Sequence, residues 1–282
     1  MNSWKYIYTF LLLVLLAIVI ALFRVSDPNL HIIACDVGQG DAILVVYGNV
    51  QILTDGGPSN RVMECLGRYL PFTDRTIELV ILTHPQSDHY FGLIEVFKRY
   101  KVDNFLYNDL PSSSQSYQLL INEVGSSGAR LLIPDTGMVI RLGLISLDIV
   151  SPPEGFQSKE LNDYSITDVL TYGGFKAILT GDLSPEISDE LAKKWEKGTV
   201  DYIKIPHHGS KNGITQSLLE KLISGSLPRH TVGVTSVGKN SYGHPSPEIL
   251  EMLKRFNIPH YRTDEMGDVV VETDGKSFWL KK

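Results

Sequence analysis

Two histidines and an aspartate lie within six residues in the segment THPQSDH at residues 83–89. The segment follows an apolar run at residues 79–82 that predicts a buried strand, and a predicted helix comes after it. A loop of this kind brings imidazole and carboxylate groups within reach of one point, and both groups suit Zn²⁺, Mn²⁺ or Fe²⁺. The segment therefore predicts a metal site. The alternative is that Asp88 caps the following helix while the histidines are simply solvated.

A metal site needs further ligands, and suitable residues follow two later strands. Asp182 comes directly after one apolar run, and His207 and His208 come directly after another. A loop rich in glycine and proline carries His244, which could reach the same edge of the fold. A surface histidine pair is the alternative, but such a pair would not need an apolar strand before it.

One arrangement of strand, acid, helix, strand and histidine occurs twice along the chain. Asp55 precedes His84 by 29 residues, and Asp182 precedes His207 by 25 residues. Two such units facing each other would form a site where the two halves meet. The alternative is chance recurrence of short motifs.

The composition places the body of the chain among globular proteins. Of the 282 residues, 43% are hydrophobic and 21% are charged, which excludes a disordered, collagen-like or coiled-coil protein. Strand and helix patterns alternate over residues 31–282 with no dividing linker, so we expect one α/β domain there. The net charge of -6 argues against a generally basic nucleic-acid binder, so a nucleic-acid substrate would need a local basic patch.

The only two cysteines, Cys35 and Cys65, exclude a disulfide scaffold and a zinc site built from four cysteines. We expect both to be buried free thiols, and a single bridge between them is the alternative.

Residues 1–30 predict a membrane anchor followed by a linker. No charge occurs in residues 6–23, and residues 11–22 are almost purely aliphatic, which is nearly enough to cross the hydrocarbon core as a helix. A cleaved signal peptide is the alternative, but no small-x-small cleavage site follows. The short N-terminus with Lys5 favours the inside, so we expect a single-pass protein of the cell membrane with its main domain on the extracytoplasmic side.

Taken together, these motifs resemble the metallo-β-lactamase fold superfamily. More specifically, the chain resembles the C-terminal hydrolase-like domain of ComEC-type competence proteins, which serve DNA uptake. The resemblance covers residues 31–280. It rests on these segments: CDVGQGDA at 35–42, TDGG at 54–57, THPQSDH at 83–89, Asn162 with Ser165, LTGDL at 179–183, PHHGSK at 206–211, SVGKNSYGHP at 236–245, and Arg262-Thr263-Asp264 with Gly267.

The resemblance implies a four-layer αβ/βα sandwich, here preceded by one transmembrane helix, and a metal-dependent hydrolase that acts on phosphodiester bonds. It implies an ion-binding set in which Asp182 bridges two ions and Asp55 orients the site from behind. The residues that match the family's ligand motifs, and that the resemblance therefore implies as metal ligands, are His84, Asp88, His89, Asp182 and His207.

Two departures from the family pattern concern the first metal position. Gln86 stands where superfamily members usually have histidine and competence-type members often have aspartate. No histidine occurs between His89 and His207, where most superfamily enzymes have a further ligand. The competence-type branch shows an Asn…Ser pair there, as in Asn162 and Ser165. We therefore expect one well-held divalent ion, Zn²⁺ or Mn²⁺, and a weak second one.

The expected reaction is attack by an activated water, with Asp88 and His244 as the catalytic residues. His244, or less favourably His208, would donate a proton to the leaving group or bind phosphate. Lys211 and Lys239 lie beside the motifs and would attract an anionic substrate, although ordinary surface charge explains them equally well. Lys204 is read in the same way, and Asp36 and Asp41 are read as structural residues of a tight turn, which could also line the entrance of the site.

The leading hypothesis is a membrane-anchored phosphodiesterase or nuclease that acts on single-stranded or double-stranded DNA. With one expected membrane segment, it would work beside a separate DNA-uptake channel protein. One alternative is a lactam or ester hydrolase of the same fold. The other is a catalytically degenerate domain that binds DNA or a protein partner, which the departure at Gln86 favours.

Overall fold

The computed structural model describes residues 3–22, 27–153, 155–224 and 231–281. The strands of this part are β1 (Leu30–Ala34), β2 (Ile43–Tyr47), β3 (Val50–Thr54), β4 (Thr76–Leu82), β5 (Lys101–Tyr107), β6 (Arg130–Leu132), β7 (Val139–Leu142), β8 (Ile145–Ser151), β9 (Thr167–Tyr172), β10 (Phe175–Leu179), β11 (Tyr202–Lys204), β12 (Val232–Thr235), β13 (His260–Arg262), β14 (Val269–Thr273) and β15 (Phe278–Lys281). The helices are α1 (Ser3–Leu22), α2 (Arg61–Tyr69), α3 (Ser87–Tyr90), α4 (Leu93–Arg99), α5 (Gln115–Ser127), α6 (Pro185–Lys194), α7 (Gln216–Ile223), α8 (Pro247–Arg255) and α9 (Thr263–Met266).

The strands form two mixed sheets with related topology. The first has the order β15-β14-β1-β2-β3-β4-β5-β6, and the second has the order β13-β12-β11-β10-β9-β8-β7. In the first sheet β3, β4, β5 and β6 run parallel, and in the second β10, β11, β12 and β13 run parallel. Helices connect these parallel strands, so the carboxyl ends of the strands within each set lie at one edge of the sheet.

Three apolar clusters show how the layers stack. One joins the first sheet to α2, α4 and α5, and it includes Val62, Leu93 and Leu120. A second fills the space between the two sheets, and a third joins the second sheet to α6, α7 and α8. The layers therefore follow the order helices, sheet, sheet, helices. The expected α/β class is confirmed.

Three helices on the second sheet begin at side-chain caps. Ser184, Thr215 and Ser246 each accept a hydrogen bond from the backbone N–H three residues further on, at 3.4 Å in each case. A proline follows the cap of α6 and of α8, where its fixed φ suits the first helical turn. These caps fix where the preceding loops end, and those loops carry Asp182, His208 and His244.

The N-terminal helix α1 begins at Ser3 and ends at Leu22. Among the residues that the structure describes, no helix is both long and apolar enough to cross a membrane. The transmembrane helix expected at residues 6–23 is therefore not confirmed, and its last residue lies outside the described part of the chain.

Cys35 and Cys65 form a disulfide, with their Cα atoms 5.9 Å apart. The expectation of two free thiols was wrong. Cys35 follows the end of β1 and Cys65 lies on the buried face of α2, so the bridge ties the first sheet to the helix that covers it. The 30-residue separation in sequence gave no sign of this proximity, because it arises only when α2 packs over the sheet.

Candidate metal centre

Loops at the edge where the two sheets meet carry the chemistry-bearing side chains. On the first sheet, Asp55 follows β3 and the segment at residues 83–89 follows β4. On the second sheet, Asp182 follows β10 and the pair at residues 207–208 follows β11. Each side chain stands directly after the carboxyl end of its strand, so the parallel strand order brings the loops together.

Three buried imidazoles, those of His84, His89 and His208, form the centre of the cluster, and none is more than 2% exposed. The ring centroids of His84 and His89 are 4.2 Å apart, and those of His89 and His208 are 5.5 Å apart. Rings packed this closely without solvent need a partner for each of their buried polar atoms.

The Nδ1 atom of each ring, which points away from the centre of the cluster, contacts another group of the protein. His89 Nδ1 lies 2.7 Å from Asp55 Oδ2, and His208 Nδ1 lies 2.9 Å from the carbonyl oxygen of Ser236. His84 Nδ1 lies 3.0 Å from Thr83 Oγ1. Contacts of this kind to carboxylates and carbonyls orient imidazoles that bind metal through the other nitrogen.

The Nε2 atoms, which point toward the centre of the cluster, lack such partners. Within the described residues, Nε2 of His84, His89 and His208 makes no hydrogen bond. Buried polar atoms left unsatisfied are costly, and here three of them belong to one cluster. Together with the carboxylates beside them, these nitrogens fit a divalent cation of the type that imidazole and carboxylate ligands favour.

Two carboxylates complete the donor set. Asp182 Oδ2 lies 3.3 Å from His89 Nε2 and 3.5 Å from His208 Nε2, and Asp88 Oδ2 lies 3.4 Å from His208 Nε2. Two groups of three each bring their donor atoms within 4.8 Å of one another: His84, His89 and Asp182, and Asp88, His89 and His208. His89 belongs to both groups, so the two positions adjoin.

The structure brings His208, not His207, into this cluster. The His207 backbone N–H donates to Asp182 Oδ1 at 3.1 Å, and its ring Nδ1 lies 3.3 Å from the carbonyl oxygen of Asn212. Both histidines have left-handed backbones, with φ of 51° and 53°. These strained angles turn neighbouring side chains in different directions. A strand followed by two histidines does not reveal which ring points inward, and in this geometry the ring beside Asp88 and Asp182 is that of His208. The assignment of His207 as a ligand stays a prediction.

Asp55 lies behind His89 and is itself held on both oxygens. The backbone N–H and the hydroxyl of Thr83 donate to Asp55 Oδ1 and Oδ2, each at 2.8 Å. Asp55 therefore connects the ends of β3 and β4 and fixes the orientation of the His89 ring.

Ser165 also supports the cluster from behind, whereas Gln86 and Asn162 pair at its rim. Ser165 Oγ accepts the backbone N–H of Asp182 at 3.1 Å and lies 3.4 Å from His84 Nδ1. Gln86 Nε2 donates to Asn162 Oδ1 at 2.8 Å. The Gln86 amide nitrogen is thus engaged by a neighbouring side chain.

Two charged residues are buried inside the cluster, and reasoning from the sequence did not place them there. Lys204 and Asp41 are each 1% exposed, and the Lys204 ammonium contacts Asp41 Oδ2. Lys204 Nζ also donates to the carbonyl oxygen of Gly181 at 3.0 Å and lies 3.6 Å from Asp182 Oδ1. The signal for Lys204 was a single charge within the apolar run YIKIP at residues 202–206, which predicts a strand too buried for an unpaired lysine.

Mutual charge stabilisation shifts the pKa values of these groups. Burial opposes the ionisation of Asp41, but Lys204, His208 and His89 together outweigh it and lower the pKa of Asp41 to about 2. Burial likewise opposes ionisation of Asp182, yet the cationic groups around it hold its pKa well below the usual range. Burial and the neighbouring His89 lower the pKa of His84 to about 3. The carboxylates are thus ionised and His84 is neutral, which are the protonation states that metal ligands need. Burial opposes protonation of His89 and His208, but the carboxylates beside them raise the pKa of His89 well above its usual range and that of His208 to about 10, so a bound metal ion would displace a proton from each ring.

Two glycines let the loops of the site approach closely. A side chain at Gly40 would place its Cβ 2.3 Å from the carbonyl oxygen of Asp88, and the Asp41 backbone N–H donates to that same oxygen at 3.2 Å. Gly181 has φ of 52°, and a Cβ there would lie 2.9 Å from Thr83 Cβ. Only glycine permits these contacts, which bring loops of both sheets to one point.

The cluster opens into a cavity of about 570 Å³. Its rim carries His244, Lys239 and Tyr242 from the loop between β12 and α8, and His207 from the loop after β11. Lys211 is exposed and lies outside this lining. The lining leaves room for a substrate above Asp88 and His208.

Comparisons with known proteins agree with this architecture. A sequence model described as the Metallo-beta-lactamase superfamily matches residues 35–225. ComE operon protein 3 of Bacillus subtilis (strain 168) is 26% identical over 253 residues, covering 83% of this chain and 32% of that protein. Recombination protein 2 of Haemophilus influenzae is 26% identical over 265 residues, covering 92% of this chain and 31% of that protein. The chain thus spans about a third of the length of each relative, and the expected resemblance to ComEC-type proteins is confirmed.

A solved structure shares the fold. The metallo-beta-lactamase fold protein YhfI from Bacillus subtilis superimposes with a TM-score of 0.58 at 12% sequence identity, over 86% of this chain and 100% of that chain.

Proposed function

Because the chain belongs to the metallo-beta-lactamase superfamily and is a metal-dependent hydrolase of that fold, we propose that its substrate is DNA and that it cleaves phosphodiester bonds. The observation that carries the proposal is the set of three buried Nε2 atoms without hydrogen-bond partners among the described residues, beside Asp88 and Asp182. The likeness to a competence protein and a recombination protein supports a nucleic-acid substrate.

The residues that would hold the ion are His84, His89 and Asp182 on one side and Asp88 with His208 on the other. When bound, a divalent ion supplies an acidified water as nucleophile and offsets charge on the substrate oxygens. The donor set contains only nitrogen and oxygen atoms and therefore suits either Zn²⁺ or Mn²⁺.

The rim residues would bind and orient the substrate. Lys239 is exposed on the cavity rim and would attract a phosphate. His244 lines the cavity, and its Nδ1 has no hydrogen-bond partner among the described residues, so no hydrogen bond to the protein at Nδ1 holds the ring. Burial and the nearby His207 and His208 lower the pKa of His244, which leaves its ring neutral at neutral pH. As a neutral ring, His244 would share a proton with the leaving-group oxygen and would not act as a fixed cation.

The test uses the purified full chain stripped of metal with a chelator. We expect no cleavage of end-labelled single-stranded or duplex oligonucleotides until Mn²⁺ or Zn²⁺ is added. Asp88→Asn should abolish most of the cleavage, whereas Glu190→Gln, which alters an exposed carboxylate on α6, should not change it.

Other outcomes of this experiment identify the alternatives. Metal-dependent cleavage of a chromogenic lactam or ester, without cleavage of DNA, would replace the proposal with the second hydrolase hypothesis. Metal binding and DNA binding without any cleavage would show a degenerate binding domain.

We further propose that the domain works at the cell membrane on its extracytoplasmic side, next to a separate DNA-uptake channel protein. The Cys35–Cys65 disulfide supports this location, because disulfides persist in oxidising compartments. Protease added to intact spheroplasts should digest the domain, and a domain that is protected until the cells are lysed would place it on the other side.

A further inference from the structure

Tyr242 lies on the rim of the cavity and its side chain is 74% exposed. The same cavity is lined by Asp88 and His208 of the metal cluster. A single exposed aromatic residue is ordinary on a protein surface, so its position alone carries little weight. Three further observations concern how this ring is held and what surrounds it.

The backbone that carries Tyr242 is fixed by the Asn240 side chain. Asn240 Oδ1 accepts the backbone N–H groups of Tyr242 at 3.1 Å and His244 at 3.0 Å. Asn240 Nδ2 donates to the carbonyl oxygens of Gly238 and His244, both at 2.9 Å. Gly238 in turn donates its N–H to Gln39 Oε1 at 3.2 Å. An exposed ring on a loop held at so many points is presented in one place, which lowers the entropic cost of binding against it.

Tyr242 is the outermost member of a row of rings that leads away from the metal cluster. Its ring centroid lies 5.7 Å from that of His244 with an interplanar angle of 31°, and His244 lies 5.8 Å from His207. His207 is 6.4 Å from the cluster residue His208. All four residues line the same cavity, so the row connects the exposed ring of Tyr242 to the metal cluster along the cavity wall.

Positive charge accompanies the ring. Lys239 is exposed on the same loop and lines the same cavity. A cation that follows the phosphate chain, next to an aromatic face on which a base stacks, is the combination by which proteins bind single-stranded nucleic acid.

We propose that Tyr242 stacks on an unpaired base of single-stranded DNA next to the phosphate that enters the metal centre. The inference rests on the proposed function and adds a preference for the single strand. In a duplex each base is already stacked on its neighbours and offers no free face to the ring. The preference therefore comes from the substrate's free base, and the phosphate contacts are common to both forms.

The experiment measures binding and leaves cleavage aside. The full chain in chelator is titrated with a short fluorescent oligothymidine, and the dissociation constant is compared for wild type, Tyr242→Ala and Tyr242→Phe. We expect Tyr242→Ala to weaken binding by about 5-fold or more, the range for loss of one stacked base. Tyr242→Phe keeps the ring and should bind as wild type does. Phe72→Ala is the matched control, because Phe72 is 86% exposed and lies outside the cavity lining.

An abasic strand of the same length separates stacking from phosphate binding. It carries the same charges without bases, so wild type and Tyr242→Ala should bind it equally well. The two proteins should also bind a duplex equally. If Tyr242→Ala weakens binding to the abasic strand as much as to oligothymidine, the ring does not stack on a base and the inference is overturned. Equal binding of oligothymidine by Tyr242→Ala and wild type overturns it as well.

The outcome is distinguishable from failure of the proposed function. Ring-dependent binding of oligothymidine without metal-dependent cleavage would uphold the stacking site and reject the nuclease. Cleavage that proceeds while the Tyr242→Ala affinity is unchanged would uphold the nuclease and reject the stacking site.

Discussion

Asp168 lies between the two sheets with no hydrogen-bond partner for either carboxylate oxygen among the described residues. It is fully buried in β9, and its backbone pairs with Leu179 of β10 and Ile149 of β8. Its strand neighbour on the same face, Leu170, packs in the apolar cluster between the sheets. Burial raises the pKa of Asp168 to about 8, with a smaller contribution from the charge of Asp148. We therefore expect a neutral carboxylic acid inside the core at physiological pH.

The raised pKa makes folding stability depend on pH with a defined sign. Below the ordinary value of 3.8 the carboxyl is protonated in both folded and unfolded chains, so it contributes no pH dependence. Between 3.8 and about 8 only the unfolded chain ionises, and the free energy of unfolding falls by about 1.4 kcal/mol per pH unit. Above about 8 both states are ionised and the loss stops growing. Between pH 5 and pH 8 this one group should therefore remove about 4 kcal/mol of stability.

The assay is urea unfolding of metal-free protein at a series of pH values from 5 to 8. Asp168→Asn keeps the size of the side chain but cannot ionise. From pH 5 to pH 8 the free energy of unfolding of wild type should therefore fall by about 4 kcal/mol more than that of Asp168→Asn. Asp109→Asn, at an exposed position, should follow wild type. All other titrating groups are common to the proteins compared and cancel in the difference. If Asp168→Asn loses as much stability as wild type from pH 5 to pH 8, Asp168 is not a neutral buried acid and the reasoning is refuted.

Three further predictions concern the cluster and the disulfide. His208→Ala should remove most of the bound metal measured by elemental analysis, whereas His207→Ala should retain most of it; the reverse result would restore the sequence-based assignment. Lys204→Met should lower the free energy of unfolding by about 3–5 kcal/mol in urea, because the buried carboxylate of Asp41 loses its ammonium partner; a change below about 1 kcal/mol would show that the imidazoles of His89 and His208 are enough to stabilise Asp41. Cys65→Ser should lower it by about 3–4 kcal/mol, as the loss of a 30-residue covalent loop predicts, and an unchanged unfolding midpoint would argue against the bridge.

Much of the fold and part of the site could be predicted from sequence because the signals lie at strand ends. An apolar run followed at once by a polar residue fixes where a strand stops, and parallel strands stop at one edge. That reasoning placed Asp55, His84, Asp88, His89 and Asp182 in loops that the structure brings together. The repeated strand-helix-strand pattern likewise corresponds to the two parallel strand sets, one in each sheet.

Features that depend on side-chain direction or on packing between layers could not be predicted in this way. The choice between His207 and His208 depends on two left-handed backbone residues, and such angles are too uncommon outside glycine to be expected at two adjacent positions. The pair of Asp41 and Lys204 joins a loop of the first sheet to a strand of the second, 163 positions apart in sequence. Such a contact exists only after the sheets have packed face to face.

The charge of the cluster accounts for the expectation of one firmly held ion and one weak ion. Asp41, Asp55, Asp88 and Asp182 supply four negative charges when ionised, and Lys204 supplies one positive charge. His89 and His208 must give up their protons to bind a metal ion, so the protein then presents a net charge of about minus three to the ions. One divalent ion reduces this to about minus one, and the first ion is therefore strongly favoured. A second ion would reverse the sign to about plus one in a site that excludes water, which is costly unless an anion enters with it. A phosphate of the substrate carries the required charge. Titration of the metal-free protein with Mn²⁺ should accordingly show one tight equivalent, and a second equivalent that tightens when a non-hydrolysable phosphodiester analogue is added. Two equally tight equivalents without the analogue would contradict this reasoning. They would mean that the positive charges of Lys204 and the first ion do not weaken binding of the second ion.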